Sequence, residues 1–289
     1  MKTPIAFLLA YLSIAFSAFS QNAEFEQWKD HRCEELLAEN GWLNLAGLLW
    51  LEPGANHLYW VNDDSLAISS SAQKRALGLF RVASDRVVFS SATGQEVANS
   101  VGKANEMVQF PLEEGQDGSL QSGKWKWSVI ERGGRFAVRL RNLQHPALAA
   151  YAPTPTFGYD PHWRLDAFFQ PKFNEFMSIT NVLGQVIEWR VMGLLKFEID
   201  GEKQELIMLE DEGKLFVIFS DETNDRETYP SGRYLYVAFP DNKGNTIIDF
   251  NYAYNPPCAY TAFATCPIPP RENRLDFRIE AGEKVPLSH

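Results

Sequence analysis

The sequence predicts a mainly β protein, an antiparallel barrel or sandwich with one N-terminal capping helix. Two observations carry that expectation. Only one segment, Glu24 to Glu39, repeats its apolar residues near helical spacing, and from residue 57 onward apolar runs are broken by short turn signals at the frequency of strands. In addition, two of those turns impose registers in which apolar residues and opposite charges meet across the strands, so turn chemistry and pairing agree.

In chain order, residues 1–20 have the layout of a secretory leader. Lys2 gives a positive start, an apolar stretch runs from Ile5 to Phe16, and the small residues Ala18 and Ser20 stand at −3 and −1 before Gln21. The apolar run is too short for a spanning anchor, and no later segment reaches spanning length. The expected protein is therefore exported, periplasmic or secreted, with no integral membrane segment in the mature chain. Residues 21–289 are expected to form one all-β-rich domain, or two intimate halves near 21–150 and 151–289.

The helix at Glu24–Glu39 places Phe25, Trp28, Leu36 and Leu37 inward and stops at Asn40-Gly41. The apolar run Trp42–Leu51 closes on Glu52-Pro53-Gly54, and its period does not separate helix from strand. Lys124–Arg141 splits at Gly133-Gly134 into a hairpin that sets Val129 opposite Val138 and Trp127 opposite Leu140. Val186–Glu210 turns at Asp200-Gly201, which sets Glu198 opposite Lys203, Lys196 opposite Glu205 and Leu195 opposite Leu206. Leu215–Phe219, Arg233–Phe239 and Thr246–Phe250 continue as a meander. Residues 251–274 then hold five prolines and two cysteines without a strand pattern, as a functional loop or a structural clasp would.

Composition excludes several classes. The chain has 289 residues, 45% hydrophobic and 13% aromatic, which is ample for a core and rules out a disordered protein. A net charge of −10 opposes a duplex nucleic-acid binder, which needs a basic face. No nucleophile elbow, Walker loop, dinucleotide-binding glycine motif, zinc-protease motif, Cys-x-x-Cys or EF-hand loop is present. No cofactor and no metal are expected, and a small molecule is the expected partner.

If the last three strands lie side by side, Asp221, Arg233, Asp249 and Asn251 gather at one sheet edge. An Arg fork among carboxylates can grip a small anionic or polar ligand, or one of Asp221 and Asp249 can act as a catalytic base. The plainer reading is an ion pair that pins strand ends, since such pairs are common at sheet edges. Cys258 and Cys266 enclose seven residues and leave open a small disulfide, buried thiols or, least favoured, metal binding. Cys33 stands among acidic neighbours and reads as inert. His145 and His162 are candidate bases, or turn residues bonded to backbone, and Trp125, Trp127, Trp163 and Trp189 read as core.

Three stretches carry a resemblance: Asp249–Tyr260 continued by Ala264–Pro267 and Glu272–Leu275, then Thr228–Leu235, and the early Gly41–Leu48. Together they resemble the family catalogued as domain of unknown function 1684. The resemblance implies that Arg233, Asn251, Asn255, Cys258, Cys266 and Asn273 fall on motif positions, and it brings no activity with it. The sequence departs from the pattern at Asn142, where the resemblance implies Asp. The functional expectation is a binding barrel or sandwich with Arg233, Asn251, Asn255 and Asn273 at its ligand. The alternatives are an envelope hydrolase using Asp221 or Asp249, and a motif that is purely structural.

Overall fold

The structure is a computed structural model that describes residues 5–99, 102–103, 106–113 and 115–287, with side chains from Gln21 onward apart from Lys103. The expected export leader lies outside the residues whose side chains are described, as does His289. The fold is mainly β: three antiparallel sheets, one of them a half-barrel, and an N-terminal helix. Among the described residues no helix is long and apolar enough to cross a membrane.

Helix α1 (Ile5–Leu37) starts well before the expected Glu24 and ends two residues before Glu39, and Phe25 and Leu36 are buried on it, but Leu37 is 43% exposed and lies off the buried stripe. The strands that follow α1 are β1 (Leu45–Trp50), β2 (Gly54–Asn62), β3 (Ser65–Ser69), β4 (Ala76–Val82), β5 (Val87–Ser91), β6 (Ala98–Asn99), β7 (Gly102–Lys103), β8 (Glu106–Phe110), β9 (Leu120–Ser122), β10 (Trp125–Arg132) and β11 (Arg135–Asn142). Together with the short helix α2 (Pro146–Ala150) they form a compact unit, Leu37–Tyr151. The run that sequence left undecided, Trp42–Leu51, is strand where it pairs with β11.

That unit holds two sheets, ordered β1-β11-β10-β9-β6-β7 and β3-β2-β4-β5-β8. The Gly133-Gly134 hairpin has the register that the turn demands, with Val129 opposite Val138 and Trp127 opposite Leu140. Alternation along β10 then buries Trp125, Trp127 and Val129 on one face, where they meet Phe80, Phe89, Leu58 and Leu77. Trp127 packs edge-on to Phe89, ring centroids 5.6 Å apart.

The other unit joins Met1–Leu36 to Ala152–His289. Its strands are β12 (Arg164–Thr180), β13 (Val186–Ile199), β14 (Glu202–Asp211), β15 (Lys214–Phe219), β16 (Arg233–Val237) and β17 (Asn245–Asp249). The Asp200-Gly201 turn again sets the expected register, and Lys196 and Glu205 form an ion pair at 3.5 Å. Asp200 and Gly201 both hold positive φ, as a tight hairpin turn requires.

One topological expectation is corrected. The sheet order is β16-β15-β14-β13-β12-β17, so β17 does not continue the meander beside β16 but crosses to β12, with Arg164 opposite Asp249. The long strands β12 and β13 carry register shifts, at Pro171/Glu175 on β12 and across Val191/Gly193 where β13 meets β14, and such bulges bend strands. The sheet curls until its edge strands β16 and β17 come near each other, which is the half-barrel. Its core is Leu195, Leu206, Leu215, Val217, Phe219, Leu235, Ile248 and Phe250 with their neighbours.

Candidate functional site

The crossing of β17 separates the predicted cluster into two networks. Strands β15 and β16 pair Phe219 with Arg233, so Asp221, two residues past the end of β15, faces the guanidinium. Arg233 Nη2 lies 2.6 Å from Asp221 Oδ2, and neither side chain is exposed at all. Arg233 also donates to the carbonyls of Ile279, at 3.0 Å, and Ala281. The ring of Phe219 lies 5.3 Å from the guanidinium. Asp221 Oδ1 accepts from Thr223 N at 2.8 Å, Thr223 Oγ1 at 2.6 Å and Ile279 N at 3.2 Å. Burial pulls the Arg233 pKa down and Asp221 opposes it. An ion pair this deep persists only when hydrogen bonds fill both partners, as they do here, with Nε alone lacking a partner. The network ties residues 279–281 to the open end of β15 and β16 and leaves the guanidinium without solvent exposure.

The motif asparagines have the same character. Asn273 is unexposed; its Oδ1 accepts from Ile207 N at 2.6 Å, and its Nδ2 donates to the carbonyls of Ile207 at 3.0 Å and Ile218 at 2.9 Å. One side chain therefore cross-links β14 and β15. Asn251 exchanges bonds with the backbone of Asp160 at 3.0 and 2.9 Å. Asn255 donates through Nδ2 to the carbonyl of Lys284 at 2.7 Å, and its backbone N–H donates to Glu283 Oε2 at 2.7 Å. Glu283, 2% exposed and not singled out by the sequence, is also met by Arg32 of α1 at 3.2 Å and by the Tyr260 hydroxyl at 3.1 Å. Arg32 in turn lies 4.6 Å over the ring of Tyr254. An acidic residue near the C-terminus thus holds the helix, and no local sequence pattern announces it.

Asp249 differs from these residues because its side chain keeps 15% exposure. Oδ1 accepts from Asn251 N at 3.1 Å and Asn251 Nδ2 at 2.8 Å, whereas Oδ2 stands 3.8 Å from Arg164 Nε, beyond hydrogen-bond reach. Burial raises the Asp249 pKa, opposed by the Asn251 hydrogen bonds and by Arg164. Nearby, burial and the Asp249 charge push Tyr159 up to about 12, and its buried hydroxyl has no protein partner. The surrounding rings form a continuous wall: Phe25 and Trp28 stack at 5.6 Å, Trp28 meets Tyr252 at 5.4 Å, and Phe25 meets Tyr159 at 5.8 Å. Arg164 and Tyr159 were missed by sequence reasoning because only the β12–β17 pairing brings them to Asp249.

The remaining candidates fall elsewhere. Cys258 and Cys266 are side by side as thiols, and the Cys258 backbone N–H donates to Cys266 Sγ at 3.0 Å. His145 caps α2, its Nδ1 accepting from Ala147 N at 3.2 Å, the backbone role expected of a turn histidine. His162 lies 3.8 Å from Asp200, while Asp160 bonds only the His162 backbone, at 2.9 Å. Asn142 accepts from Gln144 N at 3.0 Å and shapes the turn after β11. Among the described residues no three metal-ligating side chains converge. A pocket of about 440 Å³ lies in the Leu37–Tyr151 unit, lined by Glu96, Asn99, Asp117, Gln121 and Lys126 among others.

These features define a half-barrel β protein whose motif residues are mostly buried polar ties, with one partly open carboxylate beside them. The model of the family described as "Protein of unknown function (DUF1684)" matches residues 149–284, and this segment of the chain belongs to that family. The match takes in Thr228–Leu235 and the 249–275 motif but leaves Gly41–Leu48 and Asn142 outside it. Among solved structures, the chain is similar to an uncharacterized protein of Haloarcula marismortui solved by NMR. The two are 30% identical with a TM-score of 0.40, over 49% of this chain and 80% of that one. No curated protein matches the chain.

Proposed function

We propose that the protein binds a small polar ligand at Asp249, with Arg164 and the Tyr159 hydroxyl as polar contacts and the half-buried Trp28 and Tyr252 rings, backed by Phe25, as the wall. In this reading Arg233, Asn251, Asn255 and Asn273 are the structural clasp that holds the binding edge in place. The observation that carries it is the under-coordinated Asp249 carboxylate at a partly exposed position: Oδ2 has only a distant guanidinium, while the motif side chains around it are buried and engaged with backbone or with each other apart from Arg233 Nε and Asn255 Oδ1. A ligand with a flat face and a hydrogen-bonding group would fill both the aromatic wall and the open lone pairs. Arg164, 38% exposed, supplies the charge for an anionic ligand, the part sequence reasoning gave to Arg233.

The test is a small-molecule screen read by protein NMR on wild type, Asp249→Asn and Arg164→Met. Binding that shifts resonances of Tyr159 and Tyr252 and weakens in both variants supports the site. Ligands that bind all three proteins alike, or only at the Glu96–Lys126 pocket, defeat it. The raised Asp249 pKa favours a second reading, a hydrolase in which Asp249 takes a proton from water and Arg164 steadies the developing negative charge. Turnover lost in Asp249→Asn with binding retained would select it. The same proposal keeps the protein exported, and a mature N-terminus at Gln21 is its check.

A further inference from the structure

The geometry points to Cys258 and Cys266 as a redox-active dithiol that closes to a disulfide by exchange with an external disulfide. Cys266 Sγ accepts from the Cys258 backbone N–H at 3.0 Å, so it already lies beside the residue whose sulfur it must reach. The Cys258 sulfur is two bonds from the Cα that carries that nitrogen, so rotation about its Cα–Cβ bond moves it relative to Cys266 Sγ. The two thiols are also asymmetric. Cys258 is half-buried, and Cys266 is 4% exposed. The hydrogen bond from Cys266 holds the Cys258 thiol below its ordinary value against the effect of burial, and the same contact with burial pushes Cys266 up. A more exposed and more acidic thiol next to a buried resolving thiol is the arrangement that exchange needs.

In the first step the Cys258 thiolate attacks a low-molecular-weight disulfide, forming a mixed disulfide and releasing one thiolate. Cys266 then gives its proton to that thiolate and attacks the Cys258 sulfur, expelling the second. The second leaving thiolate takes up, through solvent, the proton that Cys258 had released, so the protein loses two electrons and two protons and the external disulfide becomes two thiols. The product bond would fasten a loop already tied at both ends. Val182 N donates to the Cys266 carbonyl at 2.9 Å and Ile268 N to the Thr180 carbonyl at 2.9 Å, so one end holds the β12–β13 turn. The Tyr229 hydroxyl donates to the Cys258 carbonyl at 3.0 Å and holds the other to the approach to β16.

The experiment treats the reduced full-length chain with oxidised glutathione, alkylates what remains and maps peptides by mass spectrometry. The expected result is loss of alkylation at Cys258 and Cys266 together, a linked 258–266 peptide, Cys33 still alkylated, and a higher melting temperature than the reduced protein. In Cys266→Ser a glutathione adduct should persist on Cys258, because nothing resolves it. The inference is overturned if wild type keeps a glutathione adduct, if Cys33 enters the bond, or if both thiols remain alkylatable after oxidation. None of these readouts depends on a ligand at Asp249.

Discussion

Replacing Arg233 with Met distinguishes a buried clasp from a ligand anchor. The substitution keeps an unbranched side chain against Phe219 but removes the partner 2.6 Å from Asp221 and the donors to the Ile279 and Ala281 carbonyls. The Asp221 side chain has no solvent exposure, so its charge is stranded rather than rehydrated. Removing one partner of a buried ion pair costs about 3–5 kcal/mol. At about 2–4 °C per kcal/mol for a unit of this size, the expected fall in melting temperature is roughly 6–20 °C. Calorimetry on Arg233→Met and on the double variant Arg233→Met/Asp221→Asn reads it. The double variant should be no less stable than the single one, since the stranded charge is gone. A single variant melting within about 2 °C of wild type, or losing a ligand with its stability intact, would falsify the clasp reading.

Asp249→Asn tests the open carboxylate through pH. The folded pKa is raised above the ordinary 3.8, so the fold favours the protonated form, and the stability that protonation contributes is lost as pH rises through the folded value. The variant, neutral at every pH, should be at least as stable as wild type at neutral pH, with the difference closing in acid; urea midpoints showing the variant weaker at neutral pH would sink this account. Asn273→Ala leaves the Ile207 and Ile218 carbonyls short of a donor and Ile207 N–H short of an acceptor, at about 1–3 kcal/mol for each group left unsatisfied. Its signature is faster hydrogen exchange at Ile207, and unchanged exchange there would count against the cross-link between β14 and β15. At Gly193 a new Cβ would lie 2.7 Å from Phe169 Cε2 and nearer still to the Gln170 carbonyl. Gly193→Ala should therefore cost about 1–3 kcal/mol from overpacking, and an equal denaturation midpoint would show that β12 can yield.

Short-range chemistry explains what the sequence alone determined. Gly133-Gly134 and Asp200-Gly201 each impose a turn that counts residues outward from itself, so both registers and the alternating Trp125, Trp127, Val129 face could be read without knowing where the sheets lie. The capping helix could be read from the period of Phe25 to Leu36, though Leu37 lay outside the stripe it was given. Arg233 beside Asp221 was also within reach, because β15 and β16 are consecutive and pair directly. Tertiary structure decided the rest. Strand β17 closes on β12, a partner more than sixty residues earlier, because a curling sheet offers its free edge to whichever strand returns to it. That closure moved Asp249 away from Arg233 and beside Arg164 and Tyr159. Burial also changed what the same residue types can do: Arg233, Asn273 and Asn255 lie where backbone groups need partners, whereas Asp249 keeps lone pairs open. A sequence names donors and acceptors; which of them are satisfied internally is set only when distant segments dry one another on folding.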